Sequence, residues 1–192
     1  RLGVFCLELG NAYLKDMDLR QRAFPILKKL RDASGETVHL GILEDFVGVY
    51  IEKLDGRHHI GFMTSQLGGK FPLYCTGLGK VLLAHLSDNQ IQNYLQSLDF
   101  KQITQNTITD PKLLLDEIDQ IHRLGYAIDN EENEQGVGCI AAPIFKHNGL
   151  AGAISITGPA DRITDKNNVQ GLVTLVKYAA ESISAQFVGG LS

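Results

Sequence analysis

No apolar run in the 192-residue chain approaches the roughly 18 residues needed to cross a bilayer, and no signal-peptide pattern opens it. Neither a membrane span nor an export signal is expected. Cysteine is scarce: Cys6, Cys75 and Cys139 are an odd number without metal-ligand spacing, so neither a disulfide framework nor a zinc site is signalled. A reducing cytoplasm is the expected compartment. An excess of basic charge is also missing. The net charge is -4, and without clustered Lys and Arg this chain has no electrostatic reason to hold a phosphate backbone. Internal repeats and low-complexity tracts are absent too. What remains is ordinary globular composition, 44% hydrophobic and 21% charged, in a length that suits one domain with a substantial core. The chain opens at Arg1, without an initiator Met and directly inside a helical pattern, so a fragment lacking an upstream domain is expected.

Helical periodicity marks much of the chain. Leu2, Phe5, Cys6, Leu9 and Ala12 share one stripe of a helix running to about Lys15. Asp18 is placed to cap a second helix, over Arg20 to Arg31, with Ala23, Ile26, Leu27 and Leu30 inward. Pro25 is expected to kink that helix or shift its start, and Ser34-Gly35 to end it. A hairpin follows, with Val38, Leu40 and Ile42 alternating on one strand, Val47, Val49 and Ile51 on the next, and Glu44-Asp45 as the turn. A further strand is expected around His59 to Met63, then a loop from Gly68 to Pro72. Thr76 should cap a helix to about His85 and Ser87 the next one, which carries Ile91, Tyr94 and Leu95 inward. Thr109 or Asp110 caps a third, with Pro111 at its first position, a core stripe of Leu114, Ile118, Ile121 and Leu124, and Gly125 as its stop. Tyr126 to Ile128 reads as a short strand before the acidic loop Asp129 to Gln135. The last helix spans Asn168 to about Phe187, with Leu172, Leu175, Val176, Ala179 and Ile183 inward.

The most informative stretch runs from Gly136 to Pro159, GVGCIAAPIFKHNGLAGAISITGP, which reads as one hairpin around Asn148-Gly149. A two-residue turn there would pair His147 with Leu150 and mix the faces. A loop of roughly three residues, His147 to Gly149 with Gly149 left-handed, sorts them. Ile140, Ala142, Ile144, Leu150, Ile154 and Ile156 then form a core face, and Cys139, Ala141, Pro143, Ala153, Ser155 and Thr157 the other. That second surface is small, mildly polar and uncharged. It suits either the floor of a small-molecule pocket or a sheet face on which another layer packs closely.

Three other features bear on chemistry. Gly77, Leu78 and Gly79 open a helix with uncovered N-H groups at the positive end of its dipole, a seat for a carboxylate or phosphate, although a glycine-rich cap without ligand reads the same way. The stretch is neither G-x-G-x-x-G after a strand nor a Walker loop, so nucleotide binding is not implied. Asp129 follows a strand and precedes the tight Gly136-Val137-Gly138 entry to the hairpin, from where its carboxylate can reach the mouth of the pocket floor. Glu131 and Glu134 read as solvated loop carboxylates. A nucleophilic thiol at Cys139 or Cys75 would need a histidine, from His39, His58, His59 or His147, and none stands in a recognisable nucleophile setting. The adjacent His58 and His59 point to opposite faces of a strand, so no metal site and no cofactor are expected.

These stretches, in this order, resemble the effector-binding domain of the isocitrate lyase regulator (IclR) family of bacterial transcription factors. RLGVFCLELG, ETVHLGIL, GVYIEKLDG, FPLYCTGLGKVLLA, TITDPKLLLDEIDQIHRLGYAIDNEENEQGVGCIAAPIF and GAISITGP followed by Arg162 carry the resemblance, which covers essentially the whole chain. It implies an α+β, GAF-like fold, a curved antiparallel β-sheet flanked by helices on its convex side with the ligand in the concave side. It also implies that residues 1–16 are a linker helix from a missing N-terminal winged helix-turn-helix domain, that 17–192 are the effector-binding domain, and that DNA is read only through the missing part. The resemblance further implies a homodimer or homotetramer and a small-molecule effector, an organic acid or an aromatic or sugar-derived catabolite. The ligand carboxylate would sit on the backbone at Gly77 and Leu78, with Asp129, Cys139, Ser155 and Thr157 bonding its other oxygens. Thr157 stands where Ser is also common, and Cys75-Thr76 where Ala-Ser is frequent; both add bulk near the seat. The leading expectation is thus a non-enzymatic sensor whose ligand shifts the arrangement of DNA-binding domains. Two others stand beside it: an enzyme using Cys139 on a small acyl or keto-acid substrate, and an oligomerisation module with a vestigial pocket.

Overall fold

The computed structural model describes residues 3–57 and 63–188, so Leu2, His58, His59 and most of the strand expected up to Met63 lie outside the described residues. The chain opens with α1, Val4–Asp16, none of whose residues is buried, so its apolar stripe is unpacked along its length. Helix α2, Asp18–Ser34, buries Leu19, Ala23, Leu27 and Leu30. Asp18 is not its cap. Met17 holds the capping position without a side-chain bond, and Asp18 lies inside the first turn, where its charge meets the helix dipole and the Arg22 guanidinium. Pro25 neither ends α2 nor moves its start. The missing N-H and ring clash cost about 3 kcal/mol, and burying Leu27 and Leu30 alone returns roughly 1.5–3 kcal/mol each.

Strands β1 (Thr37–Glu44) and β2 (Val47–Leu54) form the expected hairpin with its turn one residue later, at Asp45-Phe46. Both turn residues have positive φ, 46° and 60°, the mirror-image turn whose twist matches paired strands. The Lys70–Phe71 stretch, expected as loop, is a short strand β3 on β2. Three capped helices follow. Thr76 Oγ1 accepts the Gly79 N-H at the start of α3 (Gly77–Ala84), Ser87 and Gln90 form a capping box on α4 (Asp88–Ser97), and Asp110 caps α5 (Pro111–Leu124), which ends at left-handed Gly125. Strands β4 (Ala127–Asn130), β5 (Val137–Lys146) and β6 (Gly149–Pro159) come next, then the four-residue α6 (Ala160–Ile163), which nothing in the pattern announced, and α7 (Val169–Val188).

All six strands join one antiparallel sheet in the order β3-β2-β1-β6-β5-β4. Helices cover both faces, not one. Val38, Leu40, Ile140, Ala142, Ile144, Ile154 and Ile156 pack under α2 and α7, while Ala141 and Ala153 pack under α3, α4 and α5. Along β5 and β6 the register is the sorted one, Cys139 opposite Thr157 and Ala141 opposite Ser155. It arises differently from the expected three-residue loop. The turn residues are His147 and Asn148, Lys146 pairs with Gly149 (φ 116°), and a bulge that leaves Ala151 unpaired shifts the register by one. The same bulge moves Leu150 off the core face, so it packs with the α3 layer while Ala151 takes its place under α2 and α7.

Candidate functional site

Period-two alternation puts Cys139 on β5 and Ser155 and Thr157 on β6 on one side of the sheet, and at their end of it the α3 layer stops short. The two readings of that face divide it between them: Ala141 and Ala153 are packed by helices, and Cys139, Ser155 and Thr157 line a cavity of about 40 Å³. Leu78 and Thr76 enter it from α3, Asp129 from β4, Asn133 and Glu134 from the acidic loop, His39 from β1 and Tyr50 from β2, and Met63 to Ser65 complete the wall. A wider groove of about 690 Å³ lies between α7 and β5, and two of its three polar side chains, Lys177 and Ser184, are already engaged, with Glu181 the third. Lys177 Nζ donates to Leu124 O at 2.8 Å, and Ser184 bridges Phe145 N and Ala180 O.

Five of the six expected residues, Leu78, Asp129, Cys139, Ser155 and Thr157, therefore meet at one cavity. Gly77 stands just behind. A Cβ on it would lie 2.8 Å from Cys139 Sγ, so only glycine lets the helix start approach the β5 strand this closely. The seat is narrower than the sequence suggested. Thr76 Oγ1 occupies the Gly79 N-H at 3.0 Å, and the Gly77 N-H faces the Cys139 sulfur, which leaves Leu78 N-H as the most open donor of that turn.

Burial rules the electrostatics. Asp129 is raised to about 7, first by desolvation, against which the N-H of Glu132, donating to its Oδ1 at 2.8 Å, works in the other direction. Cys139 is pushed up to about 12 by burial and then by the Asp129 carboxylate, which outweigh the hydroxyls of Thr157 and Ser155 and the Gly77 N-H beside it. Cys75 is raised to about 12 for the same leading reason. Burial leaves neither thiol poised as a nucleophile, and among the described residues no imidazole stands ready to ionise one. His39 is fully buried and neutral, held down to about 3 by burial and the Lys53 charge. Its Nε2 meets Ser65 Oγ at 2.9 Å and its Nδ1 meets Thr157 Oγ1 at 3.3 Å. Ser155 Oγ is buried beside the Cys139 sulfur, and no hydrogen bond of good geometry is made to it among the described residues, so most of its donor and acceptor capacity faces the cavity.

Tyr50 and Asn133 were not anticipated at this site, and His39 only as one of four imidazoles that a thiol could use. For His39 a signal existed, since its parity on the β1 strand opposes it to Ser155, but only the cross-strand pairing reveals that. The acidic loop also departs from expectation. Glu134 borders the cavity and Glu131 Oε2 accepts the Gly136 N-H at 2.7 Å, so neither is simply solvated. Glu132 is buried against Lys80, whose Nζ lies 2.6 Å from its carboxylate. Arg162, which closes the stretch GAISITGP, pairs with both oxygens of buried Glu36 and so ties α6 to the residue before β1, away from the cavity.

Comparison with known proteins agrees with this architecture. A family profile described as bacterial transcriptional regulator IclR C-terminal matches residues 11–185. The HTH-type transcriptional regulator KdgR of Escherichia coli is 38% identical over 180 residues, covering 93% of this chain and 68% of that protein. The crystal structure of Thermotoga maritima IclR superposes with a TM-score of 0.90 at 39% identity, covering 96% of this chain and 74% of that one. An IclR homologue from Microbacterium hydrocarbonoxydans, solved with 4-hydroxybenzoate, gives 0.86 at 25% identity over 99% of this chain and 76% of its own. With an α+β, GAF-like antiparallel sheet and a profile match over most of its length, the chain belongs to the family of IclR-type transcriptional regulators, of which it represents the C-terminal domain.

Proposed function

We propose that this domain senses a small organic acid at the cavity between α3, β4 and β6, and that binding changes how attached DNA-binding domains are arranged. The observation that carries the reading is Ser155 Oγ, buried without a hydrogen bond among the described residues and aimed into the same small space as Leu78, Asp129 and Thr157. Buried polar groups are seldom left unpaired, and the usual explanation is a ligand or water that completes them. The ligand's carboxylate would take the open Leu78 N-H at the positive end of α3, while its keto or hydroxyl oxygen would bond Ser155 and Thr157. Cys139 would then serve as wall, not as reactant, so the domain acts by binding alone.

Size favours the smaller acids. The cavity is narrow, about 40 Å³, so short two- and three-carbon acids are taken as first candidates ahead of a bulkier aromatic acid such as the 4-hydroxybenzoate bound by the Microbacterium homologue. Thermal melts with glyoxylate, glycolate, pyruvate and longer keto and hydroxy acids up to six carbons, with 4-hydroxybenzoate as comparison, test this. Stabilisation should be greatest for the short acids and should grow with the logarithm of concentration. No shift with any of them at millimolar levels would defeat the proposal.

A further inference from the structure

Lys80 lies two residues after Leu78, the proposed carboxylate seat, on the same helix, with its ammonium fully buried. Its three donors each have one partner: Glu117 Oε1 on α5 at 2.9 Å, Ile128 O on β4 at 2.6 Å, and Glu132 Oε1 at 2.6 Å. The last two flank Asp129. Lys80 therefore grips both ends of the turn that carries Asp129, and Glu132 completes the grip from the other side by donating its N-H to Asp129 Oδ1 at 2.8 Å. The turn is otherwise a costly one, with Glu131 at φ 59°, and it is held from outside by Thr104 Oγ1 on Glu131 O and Thr107 Oγ1 on Glu132 O. Its one link to the helix that presents Leu78 runs through the lysine, among the hydrogen bonds of the described residues.

We infer that Lys80 is a positioning residue of the effector site: it locks the Asp129 turn to the start of α3, and its single charge is shared between two glutamates, so little of it is left to hold Asp129 as a carboxylate. The charge count supports the second half. Lys80 is the one cation in contact with Glu117, Glu132 and, at longer range, Asp129, and Glu132 Oε2 is buried with no partner, so acceptors outnumber donors here. Among the described residues, the other titratable groups around Asp129 bring it no positive charge. Tyr50 on β2, Cys75, Cys139 on β5 and Glu134 are neutral or acidic, and His39 on β1 is buried and neutral. Desolvation raises Asp129 most and the Glu132 charge adds to it, while the Glu132 N-H, the Lys80 charge and the Asn133 N-H only partly oppose them.

The inference rests on the same site as the sensor reading, but its test needs no effector. Carbon-13 NMR of the aspartate carboxyls in this chain should show Asp129 titrating near neutral pH, with the Glu132 amide proton following the same midpoint. In E132Q, which removes a like charge and frees Lys80, the Asp129 midpoint should fall by about one pH unit or more. In K80M the Glu132 amide should lose its carboxylate-bonded shift and its exchange protection, whereas E117Q, which alters the far partner, should keep both. An Asp129 that titrates in the ordinary carboxylate range, or a folded K80M with an unchanged Glu132 amide, would overturn the inference. If K80M does not fold, E132Q decides, and an unmoved midpoint there would likewise overturn it. Failure of every acid to bind would defeat the sensor reading and leave these outcomes readable.

Discussion

Replacing Asp129 with asparagine should stabilise the empty domain, and by an amount set by pH. In the unfolded chain this carboxyl titrates at about 3.9, whereas burial holds it near 7 in the fold. Below pH 4 both states are protonated and Asp129 brings no penalty. As pH rises from there the unfolded chain ionises while the folded carboxyl does not, so stability drains away until the folded group also ionises near 7. Above that the loss is constant. The difference between the two values converts to about 4 kcal/mol, a ceiling because water entry relaxes buried charge. D129N keeps an oxygen to accept the Glu132 N-H and has no charge to bury. In a domain of this size about 4 kcal/mol corresponds to a melting-temperature gain on the order of 10 °C. Urea and thermal melts of both proteins from pH 4 to pH 9 should show curves that nearly coincide at the acid end and diverge between pH 4 and 7. A gap that is equal at all pH values would refute the reasoning, and so would a variant less stable than wild type at pH 8.

S155A should leave stability within about 1 kcal/mol, since the hydroxyl it removes has no partner, yet weaken an acid that stabilises the wild type by about 1–3 kcal/mol in calorimetry. G77A should lose about 1–3 kcal/mol in urea melts, because the new Cβ would lie 2.8 Å from Cys139 Sγ. C139A should return part of that loss, and simple additivity of the two changes would count against the contact. Iodoacetamide at pH 8 should label exposed Cys6 in the folded protein and spare Cys75 and Cys139, both held near 12; modification of Cys139 without unfolding would reopen the nucleophile reading.

Much of this domain is legible because local rules and tertiary packing agree. Thr76, Ser87, Asp110, Pro111 and Gly125 start and stop their helices as capping chemistry requires. Alternation on β5 and β6 separates Ile140, Ile154 and Ile156 from Cys139, Ser155 and Thr157, which is enough to foresee most of the cavity floor. What escaped depends on partners distant in the chain. Lys80 looks like a solvated helix residue until Glu132, 52 positions on, is seen beside it. His39 becomes a site residue only through the pairing of β1 with β6. Leu150 was misplaced because a bulge at Ala151 has no local signature in a run of small apolar residues. Pro25 stands inside an unbroken α2, where burial offsets its local penalty.

The division of labour along β6 has a mechanical consequence. Ile154 and Ile156 are wedged against α2 and α7, and the residues between and after them, Ser155 and Thr157, look the other way into the cavity. No slack separates the two functions, since each inward hydroxyl shares its peptide units with a core isoleucine. A ligand that draws Ser155 toward itself must tug the opposite helical layer through a single covalent step, and α2 is the element joined directly to α1 at the head of the chain.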